Sequence, residues 1–119
     1  MRPRPRTTAA TVRRIALALP ETVERSHFAR PDFRVGNKIF ATLPNNPHFA
    51  VLKSRPANVD ALVAADPTIF SDEWRGRWVG IQLDRVDPAL LRELIVDAWR
   101  LVAPKRLAGR DLEFSPPAV

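Results

Sequence analysis

The segment Phe33-Arg-Val-Gly-Asn-Lys-Ile-Phe-Ala-Thr-Leu43 decides the fold, because it sets two β-type runs on either side of Gly36-Asn37. Two residues of that kind between β-branched and aromatic runs are a strong hairpin signal. A two-residue turn pairs Val35 with Lys38, Arg34 with Ile39 and Phe33 with Phe40. One face of that hairpin then holds Phe33, Val35 and Phe40, with Lys38 near the tip. The other holds Arg34, Ile39, Ala41 and Leu43. Neither face is cleanly polar, so either both faces are partly covered or the loop is longer than two residues.

Outward from the hairpin, residues 22–26 form a strand candidate, Pro44-Asn-Asn-Pro47 is a second turn, and residues 48–53 are the next strand. An antiparallel meander with two protruding tips follows. Upstream, Thr7 or Thr8 can cap a helix whose Val12, Ile15, Ala16 and Leu19 fall at i, i+3, i+4 and i+7, and Pro20 ends it. Downstream, Pro56 opens a short helix with Val59, Leu62 and Val63 on its buried stripe, stopped by Asp66-Pro67. Residues 68–77 read as an irregular connection, and residues 78–83 as a strand with Val79, Ile81 and Leu83 on one face. Asp87-Pro88 is a good helix start, an N-cap followed by proline at the first helical position. The last helix then runs to about residue 102 with Leu91, Leu94, Ile95, Ala98, Leu101 and Val102 inward and Trp99 half-buried.

The expected fold is α+β, a two-layer sandwich: an antiparallel sheet of about five strands with helices packed on one face, in the order α-β(3-4)-α-β(1-2)-α. Residues 1–7 read as a flexible basic arm, because alternating proline and arginine supports neither helix nor central strand. Residues 8–108 read as a single domain and residues 109–119 as a loose tail.

The chain has 119 residues, enough for one domain with a real core. It has no cysteine, which excludes disulfides, thiolate metal sites and a thiol nucleophile. No apolar run approaches the roughly 18–20 residues of a membrane span, so membrane and secretory readings fail and a cytoplasmic location is expected.

The formal charge is +6 and unevenly spread. Residues 1–58 hold eleven basic and three acidic side chains, against eight and ten in residues 59–119. One face of the domain is therefore expected to be positive. Arg30, Arg34, Lys38, Lys53 and Arg55 are opposed only by Asp32 and mix with Phe28, Phe33, Phe40 and Phe49. Backbone contact plus base stacking needs such a surface. Arg13 and Arg14 on the first helix, and the arm, add weaker attraction. Trp74 and Trp78, with Arg75 and Arg77 between them, form either a surface stacking element or, for Trp78, a packed strand residue.

Catalytic chemistry finds little support. Four scattered glycines make no phosphate loop. Ser26 and His27 are neighbours and point to opposite faces of a strand, so they form no dyad. His27, Asp32 and His48 match no metal spacing, and Glu93 with Asp97 reads as a solvated helix face beside Arg92 and Arg100. No enzyme activity, cofactor or metal is expected.

The run Ser26-His-Phe-Ala-Arg-Pro-Asp-Phe-Arg-Val-Gly-Asn-Lys-Ile-Phe-Ala-Thr-Leu43 resembles the MmcQ/YjbR family. So do Val51-Leu-Lys53 before a short helix, Arg77-Trp-Val-Gly-Ile-Gln-Leu83, and the closing Asp97-Ala-Trp-Arg-Leu-Val-Ala-Pro-Lys-Arg-Leu107. The resemblance covers about residues 9–108. It implies a frataxin-like or secretion-chaperone-like α+β topology and a DNA-binding label with a "double wing" motif, the wings mapping near Gly36-Asn37 and Asn45-Asn46. It brings no catalytic residues, and Arg13 and Arg14 on the first helix, with no acidic ridge, speak against a frataxin-like iron role.

The expectation is a non-enzymatic basic domain that contacts nucleic-acid phosphates through Arg30, Arg34, Lys38, Lys53 and Arg55. If about five phosphates are neutralised, the log–log salt slope is near −4 to −5. The alternative is a protein-interaction or dimerising module that uses an open sheet face.

Overall fold

A computed structural model of the chain describes residues 7–108. The arm expected over residues 1–7 lies outside them except for Thr7, which is buried, and the expected tail 109–119 lies outside entirely. The described chain runs α1 (Ala9–Leu17), β1 (Val23–His27), β2 (Arg30–Val35), β3 (Lys38–Thr42), β4 (Phe49–Lys53), α2 (Pro56–Ala65), β5 (Phe70–Trp74), β6 (Trp78–Gln82), α3 (Pro88–Val102) and α4 (Lys105–Ala108). The fold is α+β, with an open antiparallel sheet ordered β1-β2-β3-β4-β6-β5.

The helix starts follow local chemistry. In α1 the Thr8 backbone N–H donates to Thr11 Oγ1 at 3.1 Å. The Asp87 carboxylate accepts from the Leu90 N–H at 3.2 Å, and Pro88 supplies the fixed φ of a first helical residue. Leu91, Ile95, Ala98 and Trp99 form the buried stripe of α3, which packs on β3 and β4. Trp99 is completely buried rather than half-exposed. Its indole N–H donates to the Pro20 carbonyl at 3.2 Å, tying the chain after α1 to the last long helix. A buried indole needs such a partner, and a backbone carbonyl 79 residues away has no signature in the sequence.

The sheet has six strands, one more than expected. The additional strand is β5, inside the stretch read as irregular. Only Phe70 of Phe-Ser-Asp-Glu-Trp is buried, because β5 lies at the sheet's edge. An edge strand needs one core residue to anchor it, and polar neighbours there mask the alternation. Its return to β6 places Arg75 and Gly76 at φ 49° and 71°, and the Asp72 carboxylate accepts the Gly76 N–H at 2.8 Å. The short α4 also escaped the sequence reading.

The β2–β3 register resolves the two-sided pattern of the hairpin. The turn does comprise two residues, with Val35 opposite Lys38 and Arg34 opposite Ile39. Beyond that, Phe33 faces Ala41 rather than Phe40. Phe40 is the extra residue of a β-bulge. The bulge turns both Phe40 and Ala41 to the core, and Leu43 follows them; all three are buried with Phe33 and Val35. Ile39 and Thr42 go to the opposite face.

Pairing fixes the two faces of the whole sheet. Phe33, Ala41, Ala50, Leu52, Val79 and Ile81 lie on one face and form a single core with Val12, Ile15, Val59, Leu91 and Ile95 of the helices. The other face carries Arg25, His27, Arg30, Asp32 and Arg34 on β1–β2, then Ile39, Phe49, Val51 and Trp78 farther across. None of the described helices packs on this second face, called the open face below.

Candidate functional site

The open face of β1–β2 has an anionic centre beneath a cationic cover. The Asp32 side chain has no accessible surface although it lies on the face that no described helix covers. Arg34 caps it, with Nε donating to Oδ1 at 2.7 Å and Nη2 to Oδ2 at 3.1 Å. His27 Nδ1 lies 2.7 Å from Oδ2. The bidentate arginine holds the Asp32 carboxyl below its ordinary range; burial opposes this and the His27 contact assists it. Asp32 is thus ionised at neutral pH and absorbs the charge of Arg34.

Arg25 stands directly opposite Asp32 in the β1–β2 register, and Arg30 opposite His27. Both are exposed, and neither is in an ion pair with a described residue. The turn that joins the two strands is Phe28-Ala29. Its residues sit at φ 48° and 62°, and Phe28 is 96 % exposed. Left-handed backbone is unfavourable for any residue with a Cβ and worse for a bulky one, by roughly 1–2 kcal/mol each. A tight turn needing two such residues ordinarily carries Asn-Gly. This hairpin instead spends that strain on holding a phenyl ring in water, edge-on to the His27 ring at 6.2 Å.

The remaining residues expected at the site are distributed differently. Arg13 lies on the helix side and is tied to Glu24, with Nε to Oε1 at 2.8 Å. Arg14 is exposed on the same helix. Lys38 is exposed beside the β2–β3 turn, but that turn is not free. A Cβ built on Gly36 would come within 3.4 Å of the Pro104 ring, so the tip lies against the chain just after α3. Lys53 sits with its Nζ 5.0 Å from the centre of the Trp78 ring. Lys53 and Arg55 both line a cavity between α2 and α3, away from Arg30 and Arg34. Trp78 is half-buried and Trp74 is 53 % exposed, with Arg75 over its ring at 5.3 Å.

The structure therefore places Arg30 and Arg34 on one face, exposes Phe28 of the four phenylalanines expected beside them, and adds Arg25 and His27, which were not singled out as nucleic-acid contacts. The register could have found Arg25, since pairing residues 23–27 antiparallel with 30–34 sets it against Asp32. The turn hid that pairing, because Phe28-Ala29 lacks any Gly, Asn or Pro signal. His27 and Asp32 do meet, but among the described residues no three His, Asp or Glu side chains gather as metal ligands. Among those residues, too, no helix is long and apolar enough to cross a membrane.

These features define a class: an α+β domain with its described long helices on one side of an antiparallel sheet and a partly cationic opposite side that no described helix covers. The chain belongs to the YjbR family, whose model matches residues 17–101. It is similar in structure to the Deinococcus radiodurans protein DR2400, which carries the domain DUF419. That crystal structure superposes with a TM-score of 0.74 at 26 % identity, over 84 % of this chain and 81 % of that one. No curated protein matches the chain.

Proposed function

We propose that the protein is a non-enzymatic, cytoplasmic nucleic-acid-binding domain that uses the β1–β2 hairpin and the adjoining open face. The carrying observation is that Arg25, Arg30 and Arg34 share one uncovered face of the β1–β2 hairpin, whose turn exposes the ring of Phe28. Arg25 and Arg30 supply charge to phosphates. Arg34 contributes its outward N–H groups while Asp32 holds its plane. Phe28 offers a π-face to a base, a contact that tolerates any sequence. Phosphate contacts position a chain but read no bases, so binding is weak, salt-sensitive and largely non-specific.

The test is fluorescence anisotropy with a labelled oligonucleotide across a salt series. Two or three neutralised phosphates give a log–log slope of about −2 to −3 on duplex DNA. This is shallower than the five-cation surface would give, because Lys38 and Arg55 lie elsewhere and Lys53 stands over Trp78, away from the β1–β2 hairpin. Arg25→Glu with Arg30→Glu abolishes binding while leaving the fold intact. A flat salt response, or binding that survives this double reversal, refutes the proposal.

A second reading draws on the apolar part of the same face. Ile39, Phe49, Val51 and Trp78 are half-buried and uncovered by the described helices. A protein partner or second subunit fits such a surface. A salt-insensitive dimer in light scattering, lost on Ile39→Glu, would favour that reading over nucleic acid.

A further inference from the structure

The open face carries aromatic rings at two opposite corners. At one, the β1–β2 turn exposes Phe28 beside a face that holds Arg25, Arg30 and Arg34. At the other, the β5–β6 register sets Trp74 directly opposite Trp78. Directly opposed residues share a face, and the core position of Val79 puts its neighbour Trp78 on the open side, so both indoles stand there. Trp74 is half exposed at the sheet's edge. Each indole has a cation against it. Lys53, opposite Trp78, holds Nζ 5.0 Å from that ring's centre, and the Arg75 guanidinium lies 5.3 Å from the Trp74 ring. Ile39 and Val51 lie half-buried between the two corners. Two carboxylates oppose these five cations. Asp32 is sealed by Arg34, and Glu73 lies beside Gly80 and accepts from Ser71 Oγ at 2.8 Å. Strand spacing and rise put Phe28 and the Trp74–Trp78 pair roughly 25 Å apart along the diagonal.

We infer that this face binds single-stranded nucleic acid along that diagonal, in preference to a duplex. The inference rests on the nucleic-acid reading above and extends the site from the β1–β2 hairpin to the far edge of the sheet. A base offers its flat face to a protein ring only when it is unpaired and unstacked. A duplex keeps those faces against one another and presents its phosphates and groove edges. Two separated ring sites on one cationic face therefore favour the unpaired strand, which phosphate contacts alone would not do. The described helices lie behind the sheet, and the β2–β3 tip lies against Pro104, so neither is placed to enter a duplex groove. Phosphates of the strand meet Arg25 and Arg30 at one end, and Lys53 and Arg75 at the other. Phe28 and Trp74 stack bases, and Ile39 and Val51 lie beneath the stretch between. Glu73 is an unfavourable charge on that path.

Fluorescence anisotropy of the full chain with labelled oligothymidylates of increasing length, and with a 12-base-pair duplex, tests this. At low salt the 12-nucleotide single strand is expected to bind about tenfold tighter than the duplex, and affinity to climb with length until both corners are spanned, within the roughly 4–16 nucleotides of known single-strand sites. Trp74→Ala weakens the 12-nucleotide strand about tenfold and removes the gain with length, whereas Trp74→Phe, which keeps a π-face, retains most of the affinity. That contrast separates a lost stack from a disturbed fold. Glu73→Gln tightens binding. Duplex binding as tight as single-strand binding overturns the inference and leaves the nucleic-acid reading standing. So does Trp74→Ala binding like the parent chain, or an affinity that does not change with length. Absence of binding to either form overturns both.

Discussion

Arg34 grips both carboxylate oxygens of Asp32, two residues earlier on the same strand, and seals that carboxylate from solvent on a sheet face that no described helix covers. Removing the guanidinium leaves a buried charge with only His27 beside it. Arg34→Ala is therefore expected to destabilise the fold by about 3 kcal/mol, as for one partner lost from a buried pair. Arg34→Lys recovers part of this, because an ammonium cannot make the paired contact. Urea denaturation of the two variants checks both.

The same pair sets an acid limb in the stability profile. The folded-state carboxyl of Asp32 titrates below its unfolded value of 3.8. Its contribution is complete above the unfolded value and is lost as pH falls through the lowered folded one. Stability measured between about pH 5 and pH 2 should fall less steeply in Asp32→Asn than in the parent chain, although the variant starts from a lower plateau.

Phe28 offers a test with two opposite signs. It is almost fully exposed, so its removal forfeits little burial, while its φ of 48° suits glycine. Phe28→Gly is expected to raise the unfolding free energy by about 1 kcal/mol. The same change should weaken oligonucleotide binding by about 1–3 kcal/mol, the range of a lost base stack. Thermal melts and anisotropy on one preparation measure both. A variant that is more stable and binds equally well would remove Phe28 from the interface.

Gly80 marks where the open face is tightly packed. A Cβ there would lie 2.4 Å from the Phe49 ring and 2.5 Å from Ser71 Oγ. Its backbone is not left-handed, so steric contact alone excludes a side chain. Gly80→Ala should cost about 2 kcal/mol, and adding Phe49→Ala should recover part of that cost. A double-mutant cycle by denaturation shows the coupling.

Much of the architecture was legible in the residues. The Asp87-Pro88 start of α3, the Gly36-Asn37 turn and the alternation of residues 78–83 each rest on local chemistry, and each stands where expected. The misses have one cause: they depend on partners distant in sequence or on turns without turn residues. β5 needs β6 beside it before Ser71-Asp72-Glu73 reads as a strand edge. Phe28-Ala29 turns the chain without glycine. The candidate site suffered in the same way. Charge counts identified the basic half of the chain, but counts do not assign faces. Arg13 is held by Glu24 on the helix side, Lys53 stands over Trp78 farther across the sheet and Arg55 lines the α2–α3 cavity, whereas Arg25 joins Arg30 only through strand pairing.

The bulge at Phe40 has a consequence for how this chain tolerates change in length. Side chains along a strand alternate with a period of two, and Phe40 interrupts that count once, midway along β3. Losing Phe40, the extra residue, would restore the regular count and leave Ala41, Thr42 and Leu43 on their present faces, but it would take a fully buried phenyl ring out of the core. Insertions at the exposed 45–48 connection meet no such penalty, so length variation in related chains belongs there and not within this central strand.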